Sequence, residues 1–176
     1  MRIVEVIPYN KQWVQQFQEE ANRLRQILGP ELVEIHHIGS TSVSGLAAKP
    51  IIDVMPIVQN IHLIDQYKEC MISNGYEPKG ENGIPGRRYF VKGGHNRSHH
   101  IHIYDAGNPQ IQRHLAFRDY LRAHPDAARE YGELKTKLAS QFPHDITAYI
   151  KGKAKFVEKI DKRATDWYAS NETAKP

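Results

Sequence analysis

The run Ile51-Ile52-Asp53-Val54-Met55-Pro56-Ile57-Val58 constrains this chain more than any other segment. Every residue in it is apolar except Asp53. Such a run predicts a buried strand. Pro56, with no N–H to give, predicts that the far end is irregular or lies at a sheet edge. An ionised carboxylate is costly to bury alone. Asp53 therefore needs a metal ion, a cationic partner, or a place at a sheet edge facing a cleft. Lys49, Arg87 and Arg88 are the cationic side chains at hand. Asp53 and Met55 fall on one face of the strand, since side chains alternate.

Just upstream, Leu32 to Ile38 predicts another strand, leading into Gly39-Ser40-Thr41-Ser42. Glycine lets the backbone approach a ligand closely, and its amides can cradle phosphate oxygens. Ser40, Thr41 and Ser42 add hydroxyl donors. A helical turn over residues 45–49 would point its positive end the same way. Most turns of this composition are only turns. It is not a P-loop, because no Gly-Lys-Ser/Thr follows at the required spacing.

The segment His99-His100-Ile101-His102-Ile103-Tyr104-Asp105 supplies a third feature. Ile101 and Ile103 predict one face towards the core. His100, His102 and Tyr104 take the other face, and His99 goes with the core side. Two imidazoles at i and i+2 can bind a divalent transition metal, contact phosphate, or move protons. A solvated polar face is the plain alternative. If Asp53, His100 and His102 share an ion, their donor atoms must converge within about 5 Å, because ligand distances are about 2 Å.

Basic residues form a fourth group. Arg87 and Arg88 follow a Gly- and Pro-rich loop that can close over an anion. Lys49 lies between the Gly-Ser turn and Asp53. Tyr149 and Lys153 are four apart on a predicted helix and share a face. A solvated lysine is again the plain alternative.

The remaining chain places these motifs. Ile3 to Val6 reads as a short strand. Trp13, Phe17, Ala21, Leu24 and Leu28 recur at helical spacing, and Gly29-Pro30 ends that helix. Ile61 to Met71 suits a helix stopped by Asn74-Gly75. Residues 88–92 and 99–104 read as paired strands around a Gly-Gly turn. Helices follow over 115–122 and from Pro125 towards Gln141. Asp145 can cap a last helix running through Lys162. The pattern is α+β, with a small sheet in the first two thirds and a helical C-terminal third. One domain over residues 1–168 is expected, with a flexible tail over 169–176.

Composition limits the function classes. The 176 residues carry a net charge of +4, too mild to indicate nucleic acid. No apolar run reaches the roughly 18 residues of a membrane span. The start of the chain shows no secretory apolar region, and the lone Cys70 fits a reducing compartment. A cytoplasmic location is expected. The oligomeric state is not legible.

The motifs "HHIGSTSVSGLAAKPIIDVMPIV", "GIPGRRYFVKGG", "SHHIHIYDAGNP" and "LAFRDYLRAHPDAAREYGELKTKLA" resemble, in that order, the GrpB family. The same domain is appended to some bacterial dephospho-coenzyme A kinases. The likeness runs over nearly the whole chain. One departure is Ser44, where the family usually has proline. The resemblance implies a nucleotidyltransferase-like fold, a small mixed sheet with flanking helices. In that superfamily a Gly-Ser turn holds NTP phosphates, and strand carboxylates hold two divalent metals. Carried over, Gly39 and Ser40 match the turn and Asp53 the first carboxylate. Met55 stands where a second carboxylate belongs.

The leading expectation is a cytoplasmic protein that binds a nucleotide or other phosphate-containing small molecule, with nucleotidyl transfer as the implied reaction. Asp53, His100 and His102 form the catalytic and metal set, with His37 as a further possible ligand. Gly39, Ser40, Thr41, Ser42, Lys49, Arg88, Tyr149 and Lys153 form the phosphate set. An imidazole-rich site favours Mn²⁺, Zn²⁺ or Ni²⁺ over Mg²⁺. The alternatives are an inactive binding or partner-supporting module, for which Met55 argues, and a metal-dependent hydrolase built on Asp53 and the His pair.

Overall fold

The computed structural model describes residues 3–172. Helix α1 (Gln12–Leu28) leads into strand β1 (Leu32–Ile38), and β2 (Ile52–Val58) follows the Gly-Ser turn. A 3-10 stretch (Ile61–Tyr67) runs into the short helix α2 (Lys68–Ser73). Strands β3 (Tyr76–Pro78), β4 (Arg88–Lys92) and β5 (His99–Asp105) come next. Three helices close the chain: α3 (Pro109–Ala123), α4 (Pro125–Gln141) and α5 (Ile146–Glu172).

These elements belong to two compact units that interleave along the chain. One spans Lys11–Ile38 and Ile51–Ile111, and contains the sheet. The other takes in the residues up to Asn10, Gly39–Pro50, and the chain from Gln112 onwards.

In the sheet unit the strand order is β1-β2-β5-β4-β3. Only the β2–β5 pair is parallel, so the sheet is mixed. β2 is a central strand, not an edge. The ladder to β5 pairs Val54 with Ile101 and resumes at Ile57 with Tyr104, skipping Met55 and Pro56. The sheet thus accommodates the missing N–H of Pro56 by a local gap rather than by exposing the strand.

Helix α1 packs on β1 and β2 through Trp13, Phe17, Ala21, Leu24 and Leu28, all buried. Burying each of Phe17, Leu24 and Leu28 contributes about 1.5–3 kcal/mol. Glu20 is buried on the same helix and meets the α1-side face of the sheet. It accepts hydrogen bonds from the Tyr76 hydroxyl and from Lys92 Nζ (2.9 Å), and His99 Nε2 stands 3.8 Å away.

Burial pushes the Glu20 carboxyl up, but these donors outweigh it and hold it below the usual carboxylate range. Glu20→Gln is therefore expected to cost about 3 kcal/mol at pH 7, because it leaves Lys92 without its counter-charge. The Glu20 contribution should be complete above its unfolded-state pKa of about 4.3 and fade as pH falls through the lower folded-state value. Urea titrations of both proteins across pH 3–7 should show the gap between them closing in acid.

In the helical unit, Asp145 Oδ1 accepts the Ala148 N–H (2.9 Å), the expected cap of α5. Val43, Leu46, Tyr120, Leu121, Tyr131, Ile160 and Ala164 share one buried cluster, against which Phe156 and Val157 pack. α5 continues past Lys162 to Glu172, so residues 169–172 of the expected tail are helical. The last four residues lie outside the described ones.

Two local expectations are corrected. Residues 3–6 form no strand, and only Ile7 bridges to Ala48. Residues 45–49 form no helical turn. The helical geometry falls instead on Ser40–Ser42, directly after Gly39, whose φ of 72° suits glycine.

Candidate functional site

Strand alternation decides which side chains meet in the sheet unit. Asp53 pairs with Ile38 on one side and His100 on the other, and His102 pairs with Tyr89. Directly opposed residues share a face. Asp53, His100, His102 and Tyr89 therefore stand on the face opposite α1.

There both imidazoles converge on one oxygen. His102 Nε2 lies 3.0 Å and His100 Nδ1 3.3 Å from Asp53 Oδ1. One donor atom from each of the three residues lies within 4.8 Å of the others. Among the described residues this is the one group of three or more His, Cys, Asp or Glu able to hold an ion. Burial pushes the Asp53 carboxyl up. Hydrogen bonds from His100 and His102 outweigh this and hold it far below the usual carboxylate range.

The donor set decides which ion fits. Met55 is fully buried, and a thioether does not bind Mg²⁺. A paired-carboxylate site for two Mg²⁺ ions is therefore absent from this strand. One carboxylate with two imidazoles suits a single Mn²⁺, Zn²⁺ or Ni²⁺.

Two expected members fall elsewhere. His37 pairs with Val54, on the α1-side face, and its ring stacks on Phe17 at 4.7 Å. It cannot join Asp53, because alternation turns it to the other side of the sheet. Arg88 pairs with Ile103 on that same α1-side face. Its guanidinium grips Asp65 with two hydrogen bonds, of 2.7 and 3.1 Å. That bidentate pair commits the side chain, and so argues against Arg88 as an anion ligand.

The arginine that reaches the site is its neighbour. Arg87 is buried, with Nη1 3.3 Å from His102 Nδ1 and its guanidinium 4.5 Å from the Tyr89 ring centre. Tyr89 in turn packs against the rings of His102 (5.1 Å) and His100 (5.7 Å). Once the β4–β5 register has paired Tyr89 with His102, stepping back by two from Tyr89 arrives at Arg87 and skips Arg88.

The remaining expected residues belong to the helical unit. Thr41 and Ser42 are buried and Ser40 is half-buried. The Ser42 hydroxyl donates to the Gly39 carbonyl, and Arg122 donates to the Ser42 carbonyl at 2.7 and 3.0 Å. Ser42 is thus a brace of the turn. Lys49 and Lys153 both place an ammonium over the Tyr149 ring, at 5.6 and 5.7 Å. Lys153 also donates to the Tyr131 hydroxyl at 3.4 Å. Tyr149 itself is buried with Val4, Leu138 and Ala139. Burial, and then Tyr131, push its phenol up, so it remains neutral and serves as the platform under two cations.

The GrpB protein family model matches residues 3–163. The chain belongs to the GrpB family. It is 54% identical over 166 residues to UPF0157 protein YqkA of Bacillus subtilis, covering 94% of this chain but 48% of YqkA. It thus spans about half the length of that relative. It is 27% identical to a dephospho-CoA kinase of Mycolicibacterium paratuberculosis, over 93% of this chain and 46% of the kinase.

Among solved structures, the conserved protein GrpB from Enterococcus faecalis superposes with a TM-score of 0.91 and 48% identity, over 93% of this chain and 99% of that one. Cid1, described as having RNA terminal uridylyl transferase activity, superposes at 0.51 with 15% identity, over 78% of this chain and 42% of Cid1. That likeness establishes the nucleotidyltransferase-like α+β fold and nothing finer. No helix among the described residues is long and apolar enough to cross a membrane.

Proposed function

We propose that this GrpB-family chain binds a nucleotide or related phosphate ligand together with one divalent transition-metal ion. The observation that carries the reading is the convergence of His100 Nδ1 and His102 Nε2 on Asp53 Oδ1, at 3.3 and 3.0 Å. Asp53, His100 and His102 would hold the ion. When bound, it would supply charge neutralisation to phosphate oxygens. Lys49 and Lys153, gathered over Tyr149, are the cations of the helical unit suited to phosphate, with Gly39, Ser40 and Thr41 as donors of the turn. Residues 1–168 would work as one functional domain.

Nucleotidyl transfer is the reaction class that the fold suggests. The buried Met55 favours a second reading, binding without turnover, in which the domain senses a ligand or supports a fused or separate partner such as a dephospho-coenzyme A kinase. Equilibrium binding of each NTP with Mg²⁺, Mn²⁺ or Zn²⁺, to wild type and Asp53→Asn, tests both. Metal-dependent binding lost in the variant supports the first reading. Binding indifferent to metal and to Asp53 supports the second. Absence of both nucleotide and metal binding removes the proposal.

A further inference from the structure

A neutral imidazole carries one N–H. A ring nitrogen that binds a cation gives up its lone pair, so the other nitrogen must hold the proton. In metal-bound histidines that outer N–H donates to a carbonyl, a carboxylate or water. The inner nitrogen of His102 is Nε2, which faces Asp53. Its outer nitrogen is therefore Nδ1, and the group at Nδ1 is Arg87 Nη1, at 3.3 Å. A guanidinium has five N–H donors and no acceptor. A proton on Nδ1 would point an N–H at an N–H.

Arg87 is not there by accident of a mobile side chain. It is 6% exposed. Its Nε donates to the Glu81 carbonyl (3.1 Å) and its Nη2 to the Asn82 carbonyl (2.8 Å). Its own amide donates to the Ile84 carbonyl (3.2 Å), and its plane lies over Tyr89. The loop between β3 and β4 is folded around this one guanidinium. Glu81 closes the loop further by accepting the Gly86 N–H at 2.9 Å.

We propose that Arg87 is a positioning residue that holds His102 as the Nε2–H tautomer and thereby opposes metal binding at this site. Protons run in one direction: Arg87 donates to His102 Nδ1, and His102 Nε2 donates to Asp53. This chain of donors gives both ring nitrogens of His102 a partner without an ion. For a cation to bind at Nε2, the His102 proton must move to Nδ1 and Arg87 must withdraw. Withdrawal breaks the contacts with Glu81 and Asn82, so ion entry is coupled to the β3–β4 loop. The inference rests on the metal reading given above for Asp53, His100 and His102.

Two measurements test it. The first is the ring-nitrogen NMR spectrum of His102 in the full-length, metal-free protein. The unprotonated signal should belong to Nδ1 in wild type and in Arg87→Lys, which keeps a donor. The second is titration with Zn²⁺ and Mn²⁺. Arg87→Gln, whose amide oxygen can accept from Nδ1–H, should shift the proton to Nδ1 and tighten Zn²⁺ binding by about tenfold, the scale of outer-shell effects at metal-bound histidines. Arg87→Lys should bind like wild type.

A protonated Nδ1 in wild type would overturn the proposal, whether or not Arg87→Gln folds. So would unchanged or weaker Zn²⁺ affinity in a folded Arg87→Gln. If wild type binds metal and Arg87→Gln gains nothing, only the role of Arg87 falls. If no variant binds metal, the metal reading falls with it.

Discussion

Asp53→Asn is expected to weaken divalent-metal binding by about 100-fold or more, since it removes the only charge in the ligand set. The amide keeps the shape of the side chain. Its oxygen can still pair with His102 Nε2, which lies 3.0 Å from Asp53 Oδ1. The fold should therefore survive, and the loss should be specific to the ion. Calorimetric titration with Mn²⁺ and Zn²⁺ gives the affinity, and far-UV circular dichroism checks the fold. The loss should be as large when Asp53→Asn is combined with Arg87→Gln, because the proposed ligand role of Asp53 does not depend on the tautomer of His102. Wild-type affinity in the single variant would show that the ion binds elsewhere.

Met55→Asp is the second large effect, and it runs against the idea of restoring a missing carboxylate. Met55 shares the face of Asp53 but is 0% exposed. An ionised carboxylate there is buried with no partner, at a cost of about 3–5 kcal/mol. That is a large share of the roughly 5–15 kcal/mol that holds a typical domain. Guanidinium denaturation should show the midpoint falling by a corresponding amount in metal-free protein, with saturating Mn²⁺ recovering part of it. A variant as stable as wild type that binds Mn²⁺ tenfold tighter would mean that position 55 opens to an ion. It would also reinstate the two-carboxylate reading that the buried methionine excludes.

Much of this architecture was legible in the residues because it depends on local rules. The period of 3.6 over Trp13 to Leu28 and the period of two over His99 to Asp105 each specify an element and the face it buries. Gly29-Pro30, Asn74-Gly75 and Pro125 mark where elements stop and start. The same alternation singled out His100 and His102 together and set His99 aside, while the cost of burying a lone charge required a partner for Asp53 inside an apolar strand.

Other features depended on strand order and register, which no local pattern encodes. Pro56 predicts either an irregular stretch or a sheet edge, and only the strand order shows that β2 is central and that the ladder is irregular there. His37 is an imidazole two residues before the Gly-Ser turn, and its residue type alone admits it as a metal ligand. Pairing of Ile38 with Asp53 turns it to the other face. Arg87 and Arg88 are chemically alike and adjacent, so composition cannot rank them. The β4–β5 register gives Arg88 to Asp65 and Arg87 to His102.

By itself, then, the sequence determined most of the elements, the buried strand with its one acid, the imidazole pair, and the family. Those follow from backbone periodicity and from the cost of burying charge. The tertiary structure alone decided that Asp53, His100 and His102 converge within 4.8 Å, that Met55 is sealed in the interior, and that a guanidinium stands against the outer nitrogen of His102. Each of these is a contact between residues distant in the chain. Only the register of paired strands brings them into reach.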